Sequence, residues 1–239
     1  MYNRMNVLIV GGSSGLGLEL GLLLAQHHKV FVTGRKDSRK KQLRFIPLEI
    51  KMSHLLSNDL DRVLTHVGAI DILIYAAGFY QDGTMDDLED SDITDMINVK
   101  LTAPAMLLQK ILRKQKRLSG FVVITSTSQW KPRLREPIYA AVNAGLGMLA
   151  RSASLDERVV KTLVVAPAGM RTNFWKGKTR EGILLEPRWV AERILDFYKG
   201  TFTYKCICIL REPPRIEIGG SLRKLLPLFY FRTLSYQPR

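Results

Sequence analysis

Cysteine is nearly absent from this chain: there are two, Cys206 and Cys208. Two positions apart in a strand they project from one face, a poor disulfide geometry, and two thiolates are too few to close a zinc site. A disulfide scaffold and a metal centre are therefore not expected, and the pair reads as strand residues in a reducing, cytoplasmic compartment. Long apolar runs are missing as well, none approaching the roughly 18 to 20 residues of a spanning helix. Residues 1–10 run straight into a strand pattern without a cleavable apolar leader, so no secretory signal is expected. Acidic side chains are scarce, 22 against 36 basic ones, giving a net charge of +14. That excess favours anionic partners: a phosphorylated cofactor, an acidic substrate, nucleic acid or a lipid surface. No nucleic-acid-binding module is recognisable, and the basic residues are scattered except over 35–44, so nucleic acid is not an expected partner.

What is present is alternation. With 46% apolar and 24% charged residues, 239 positions suffice for one well-cored α/β domain and not for a second of ordinary size. Short β-branched runs at 6–10, 30–33, 45–50, 70–75, 120–125 and 159–166 predict strands. Between them, 16–27, 57–66, 85–117 and 139–158 carry helical spacing, the third broken or bent near Pro104. A late strand at 204–210 adds to a sheet edge. The pattern predicts a single-domain, three-layer Rossmann-type α/β fold with a doubly wound parallel sheet. Residues 1–211 form the dinucleotide-binding and catalytic domain in this reading, and 212–239 a basic, apolar appendage. In the tail, Leu222, Leu225, Leu226 and Phe229 mix with Arg223, Lys224 and Arg232. This suits a segment that covers the active site or packs on a partner subunit; a membrane-surface anchor is the less favoured alternative, because Pro227 limits any long helix.

Val7-Leu8-Ile9-Val10 leads directly into Gly11-Gly12-Ser13-Ser14-Gly15-Leu16-Gly17 and then a helical run, which is strand, glycine turn and helix in order. Glycine suits such a turn because the backbone takes positive φ and must approach a pyrophosphate closely, while the helix N-terminus offers N–H groups and a positive dipole end. Gly11, Gly15 and Gly17, with Leu16 between them, are the expected phosphate-binding backbone, and Ser13 and Ser14 add hydroxyl donors. The plain alternative is a tight connection. After the second predicted strand comes Thr33-Gly34-Arg35-Lys36, with no acid before Asp37. Arg35, beside Lys36, can meet the 2′-phosphate in bidentate fashion, so NADP(H) is the expected cofactor. The alternative is a basic exposed loop, since Arg39, Lys40, Lys41 and Arg44 are too many for one phosphate.

Over roughly residues 5–210 these and further motifs resemble the short-chain dehydrogenase/reductase family. Gly11, Gly15 and Gly17 match its G-x-x-x-G-x-G turn, with Val10 where threonine is usual. The resemblance implies that Glu49 and Ile50 contact adenine, and that Tyr75-Ala76-Ala77-Gly78 stands at the family's N-N-A-G strand end with both asparagines lost. It also implies that Asn98 kinks the long helix and holds a water of the proton relay. Ser126 lies thirteen residues before Tyr139, the family spacing for the pair that shares a substrate carbonyl. In reduction a hydride reaches the carbon, Ser126 donates a hydrogen bond to the oxygen and Tyr139 supplies the proton. Pro167, Gly169, Met170 and Thr172 resemble the loop around the nicotinamide, 173–187 the segment covering a carbonyl or alcohol substrate. A homodimer or homotetramer through the helices of Asn98 and Tyr139 is implied. One departure stands out: the family's Y-x-x-x-K reads Tyr139-Ala140-Ala141-Val142-Asn143. Asn143 keeps a hydrogen bond to the nicotinamide ribose but brings no charge to Tyr139. Either Lys131, Arg133 or Arg135 substitutes and the chain is a working reductase, or it binds cofactor without turnover.

Overall fold

The computed structural model describes residues 4–50, 56–175, 184–211, 214–219 and 231–235. Its frame is one sheet in the order β3-β2-β1-β4-β5-β6-β7-β8-β9. The strands are β1 (Asn6–Val10), β2 (Lys29–Gly34), β3 (Arg44–Pro47), β4 (Ile72–Tyr75), β5 (Gly120–Ile124), β6 (Thr162–Pro167), β7 (Tyr204–Arg211), β8 (Pro214–Gly219) and β9 (Phe231–Ser235). Pairing is parallel through β7. Central parallel strands are covered on both faces and therefore read as unbroken apolar runs. All five residues of β5 and all six of β6 are buried.

Six α-helices make the outer layers: α1 (Gly15–Leu24), α2 (Leu56–Val67), α3 (Asp90–Ile97), α4 (Ala103–Lys114), α5 (Pro137–Ala153) and α6 (Pro187–Lys199). Alternate residues of each strand feed two separate cores. Leu8, Tyr75, Phe121 and Val123 meet Leu60 and Val63 of α2, Leu107 and Ile111 of α4, and Leu146 and Ala150 of α5. Val7, Ile9, Ile74 and Val165 meet Leu16 and Leu20 of α1 and Val190 and Ile194 of α6. The three-layer doubly wound sheet is thus as expected. Among the described residues no helix is long and apolar enough to cross a membrane, and no cluster of metal-binding side chains occurs.

Several boundaries differ from the sequence reading. β3 stops at Pro47 rather than at residue 50, and β6 starts at Thr162, with Val159 making only an isolated bridge to Leu118. The segment 85–117 is not one helix bent at proline. α3 passes into a π-helical turn, Asn98–Thr102, in which the Ala103 N–H donates to the Asn98 carbonyl five residues back, and α4 follows. Pro104 follows directly in the first turn of α4, where it has no N–H to give to a carbonyl of the π turn. α6 escaped prediction, although Pro187 and the spacing of Val190, Ala191 and Ile194 mark its start and buried stripe. In the tail, β8 and β9 extend the sheet in antiparallel fashion, with Ile207 opposite Ile218 and Glu217 opposite Thr233. Leu222, Arg223, Lys224, Leu225, Leu226 and Phe229 lie outside the described residues.

Phe121, fully buried in the middle of the sheet, gives a direct test of this core. Phe121→Ala is expected to lower stability by about 3–5 kcal/mol, read as a lower urea midpoint with an unchanged slope.

Candidate functional site

β1 lies between β2 and β4, so the connections leaving β1 and β4 diverge and open a crevice at their C-terminal ends, the usual ligand position of an open α/β sheet. The glycine turn fills that crevice. Gly11 has φ +82°, and a methyl built on it would stand 2.6 Å from the Ala77 Cα; on Gly17 it would collide with the Gly11 carbonyl oxygen. Side chains are thereby kept out of a surface made of backbone. Ser14 precedes α1 in extended conformation without a side-chain cap, and no acid stands in the first turn of the helix. The positive end of α1 is left for an anion. These features fit a bound dinucleotide pyrophosphate.

Ser13 packs against Gly34 at the end of β2, and the Gly12 N–H donates to the Thr33 carbonyl at 3.0 Å. Arg35 and Lys36 follow immediately and are exposed. Glu49 is exposed past the end of β3, whereas Ile50 packs on the core shared with Leu56 and Leu60. Across the turn, the Ala76 N–H donates to the Val10 carbonyl at 2.8 Å, and Gly78 comes next on that loop. A methyl on Gly15 would lie 3.4 Å from Thr172 Cγ2, so the loop after β6 reaches over the glycine turn. In that loop, Pro167 pairs with Ile209, Met170 bridges Leu185, and the Met170 carbonyl accepts from Trp175 Nε1 at 2.8 Å. Gly169 is hemmed in by Leu184 and Trp175. Of the expected covering segment, 176–183 lie outside the described residues.

Ser126 and Tyr139 come together on the other side of the crevice. Ser126 follows β5; its Oγ accepts from the Ser128 N–H at 3.2 Å and the Ser128 hydroxyl at 2.8 Å, leaving its own proton to be donated. Tyr139 is buried at the start of α5, its N–H held by Gln81 Oε1 at 2.9 Å. Burial pushes the Tyr139 phenol up to about 12, while hydrogen bonding to Ser126 and Asn143 pulls the other way. Asn143 is fully buried. Its amide nitrogen is committed to the Tyr139 carbonyl at 2.7 Å, one turn back, and its Oδ1 has no protein partner. A buried acceptor in that condition fits a hydroxyl donor such as a ribose. Asn98 opens the π turn, half-buried.

The three basic candidates for a charge beside Tyr139 are exposed. Arg133 lies 3.6 Å from Glu136, and Arg135 pairs with Asp82 at 2.9 Å and Asp87 at 3.9 Å. Of the influences on Tyr139, Arg133 is the weakest. A buried cation does occur nearby, and sequence reasoning missed it. Lys100, in the π turn, is 3% exposed and donates to the Ile124 carbonyl at 2.9 Å, two residues before Ser126. Its Nζ is 3.5 Å from where a methyl on Gly78 would stand. Burial lowers its pKa from 10.5 to about 7. The signal was available: Met96, Lys100, Ala103 and Leu107 share a helical stripe that is otherwise apolar. The Tyr75 hydroxyl donates to the Val99 carbonyl, so Tyr75 and Lys100 tie the π turn to β4 and β5 where the strand end lacks asparagines. Tyr80 was also missed, as the partner that completes an aromatic wall with Phe174 and Trp175 of the covering segment. Tyr80 and Phe174 are 6.1 Å apart, Tyr80 and Trp175 5.1 Å, and Phe174 and Tyr139 6.0 Å, ring centre to ring centre.

In sequence, residues 5–182 match the family described as short chain dehydrogenase. The chain is 30% identical over 174 residues to the 3-oxoacyl-(acyl-carrier-protein) reductase MabA of Mycobacterium avium, covering 71% of this chain and 68% of that protein. It is 26% identical over 210 residues to a 3-beta-hydroxysteroid dehydrogenase of Comamonas testosteroni, covering 79% and 83%. In fold it is similar to a short chain dehydrogenase from Burkholderia cenocepacia solved in complex with NADP, with TM-score 0.71 at 23% identity over 86% of this chain and 96% of that one. A short chain dehydrogenase family protein from Francisella tularensis gives TM-score 0.74 at 18% identity, over 86% and 97%.

The buried lysine carries a signature in stability. The folded lysine loses its proton near pH 7 and the unfolded one near 10.5, so between these values the unfolded chain binds more protons and stability rises with pH. The rise is expected from pH 7 to about 9, above which unfolded cysteine ionises while buried Cys206, pushed up to about 12, resists. Urea midpoints across this window should climb in the wild type and stay level in Lys100→Met; parallel curves would contradict a Lys100 whose proton is lost near pH 7 in the folded chain.

Proposed function

The chain belongs to the short-chain dehydrogenase family, and we propose that it is an NADP(H)-dependent oxidoreductase interconverting a carbonyl and an alcohol. The observation that carries this reading is the buried Tyr139 phenol with Ser126 acting on it, at the C-terminal edge of the sheet that also bears the glycine turn. Gly11, Ser13, Ser14, Gly15, Leu16 and Gly17 hold the pyrophosphate, and Arg35 with Lys36 the 2′-phosphate. Glu49 and Ile50 flank the adenine, Ala76, Ala77, Gly78 and Asn143 the nicotinamide ribose, and Pro167, Gly169, Met170 and Thr172 the nicotinamide. NADP rather than NAD is favoured because the first side chains after β2 are basic; the Burkholderia structure with NADP agrees.

When bound, NADPH supplies the hydride. The protein's own part is to place a carbonyl oxygen between Ser126 and Tyr139. Ser126 donates a hydrogen bond to that oxygen as negative charge grows on it, and Tyr139 gives up its phenolic proton. With its pKa near 12, Tyr139 stays protonated through neutral pH, which suits it to act as the acid of a reduction. Asn98 belongs to the route by which the proton is replaced. Tyr80, Phe174 and Trp175 make the substrate side aromatic and apolar, which favours a carbonyl on an apolar skeleton. The relatives named as 3-oxoacyl reductase and hydroxysteroid dehydrogenase fit that class. Met148, exposed on α5, and Ile97, exposed on α3, fit a homodimer or homotetramer through these helices. The buried thiols of Cys206 and Cys208, not joined in a disulfide, fit a cytoplasmic setting.

Titration calorimetry and turnover test the reading together. Arg35→Ala should weaken NADPH binding on the order of tenfold to a hundredfold, the worth of a charged hydrogen bond, and leave NADH binding nearly unchanged. Tyr139→Phe should bind NADPH normally and lose roughly 10²- to 10⁴-fold in kcat with apolar ketones or aldehydes. NADPH binding without oxidation by any carbonyl would point instead to a cofactor-binding protein without turnover, and binding of neither nucleotide would overturn the proposal.

A further inference from the structure

Lys100 and Tyr139 pose complementary problems. A buried lysine without a carboxylate is costly to keep charged. A buried tyrosine that must give away a proton is left with a negative oxygen and no cation one turn along its own helix, where Asn143 stands. The structure brings the two elements together: the π turn packs against α5, with Leu101 3.4 Å from a methyl built on Gly145, two residues past Asn143. The Lys100 ammonium sits between the ends of β4 and β5, against Gly78 and on the Ile124 carbonyl, two residues before Ser126. That bond uses one of three ammonium protons.

We infer that Lys100 supplies the positive charge this site otherwise lacks, steadying the negative oxygen that Tyr139 carries after handing its proton to a substrate carbonyl. The inference rests on the reductase reading above. In the step, the Tyr139 O–H bond breaks and its proton bonds the carbonyl oxygen, while the electron pair that reduces the carbonyl carbon is the hydride of NADPH. Lys100 breaks no bond; it is a positioning residue acting through Tyr139. The charge reaches the site from the helix that precedes β5 instead of from α5 itself, and it is anchored by backbone, not by a carboxylate that would cancel it.

The pH dependence follows. The titratable groups on the elements packed around Lys100 are Tyr75 on β4, Tyr139 and Arg151 on α5 with Glu136 just before it, Asp90, Asp92 and Asp95 on α3, and Lys110, Arg113 and Lys114 on α4; burial alone accounts for the lowering of Lys100 to about 7. Below that pH the ammonium is present, and above it the charge is lost. Carbonyl reduction should therefore slow as pH rises through about 7. Lys100→Arg, which keeps its charge, should stay fast and level across the range. Lys100→Met should be level and roughly tenfold to a hundredfold slower than the wild type at low pH.

A second readout needs neither cofactor nor turnover. In protein labelled with carbon-13 at the tyrosine ring carbon bearing the hydroxyl, the Tyr139 resonance is identified by its loss in Tyr139→Phe. In the wild type it should shift with an inflection near pH 7, and in Lys100→Arg and Lys100→Met it should not. A wild-type resonance that ignores that pH range, or one whose inflection persists in Lys100→Met, overturns the inference. Should Tyr139→Phe turn over normally while the inflection is present, it is the reductase reading that fails and the electrostatic coupling that stands.

Discussion

The parallel pairing of β1 with β4 sets the geometry on which the site depends. Because β2 lies on the far side of β1 and β5 on the far side of β4, the chain leaves these two strands in opposite directions and their ends cannot be roofed by a single connection. The gap is closed only by backbone. Gly11 and Ala77 approach so nearly that a single methyl group would collide, and the Ala76 N–H bonds the Val10 carbonyl. A floor made of peptide groups offers N–H donors without side-chain bulk, which is what a pyrophosphate needs and what few other surfaces of a folded protein supply. Thr172 above Gly15 and Ser13 against Gly34 bring β6 and β2 to the same floor.

A second constraint is electrostatic. Packing α5 onto the sheet buries Tyr139 and Asn143 together, and burial works against any negative charge there. Three side chains answer it by different means. Ser126 and Asn143 favour the ionised phenol through hydrogen bonds, which are short in range and indifferent to pH near neutrality. Lys100 is a charge, longer in reach but itself burdened by desolvation. The chemistry at Tyr139 is therefore not the property of one helix but of the contact between α5 and the π turn, and a change of packing at Leu101 or Gly145 bears on it as directly as a change at the phenol.

How much of this could be read in the sequence depended on whether the signal was local. The strands and the two-sided core were legible because apolar runs of five or six residues have one reading in an alternating chain. The glycine turn was legible because strand, turn and helix stand in one stretch, and the spacing of Ser126 and Tyr139 because it is fixed by the resemblance. The π turn was not, since its five-residue hydrogen bond leaves no periodicity of its own and Pro104 offered a nearer explanation for a break. Lys100 was hidden by composition: one lysine among the chain's many basic residues reads as surface until its neighbours in the stripe, Met96 and Ala103, are seen to be buried. The aromatic wall joins Tyr80 to Phe174 and Trp175, nearly a hundred positions apart, a contact that only the folded sheet creates.

That wall also ties recognition to catalysis. Phe174 packs beside Met96, Tyr139 and Val142, so the rings that present an apolar surface to a substrate are among the groups that exclude water from the phenol. Each makes the other's task harder in one direction and easier in the other: a drier pocket binds an apolar carbonyl better and strengthens the Ser126 hydrogen bond, yet raises the barrier to leaving Tyr139 charged. A site built this way is biased toward proton donation. Regaining the opposite function, proton removal from an alcohol, requires a compensating cation within the same dry volume. The only cation the described residues bury is the ammonium held on the Ile124 carbonyl, so in the proposed reaction the balance between reduction and oxidation follows the protonation of Lys100.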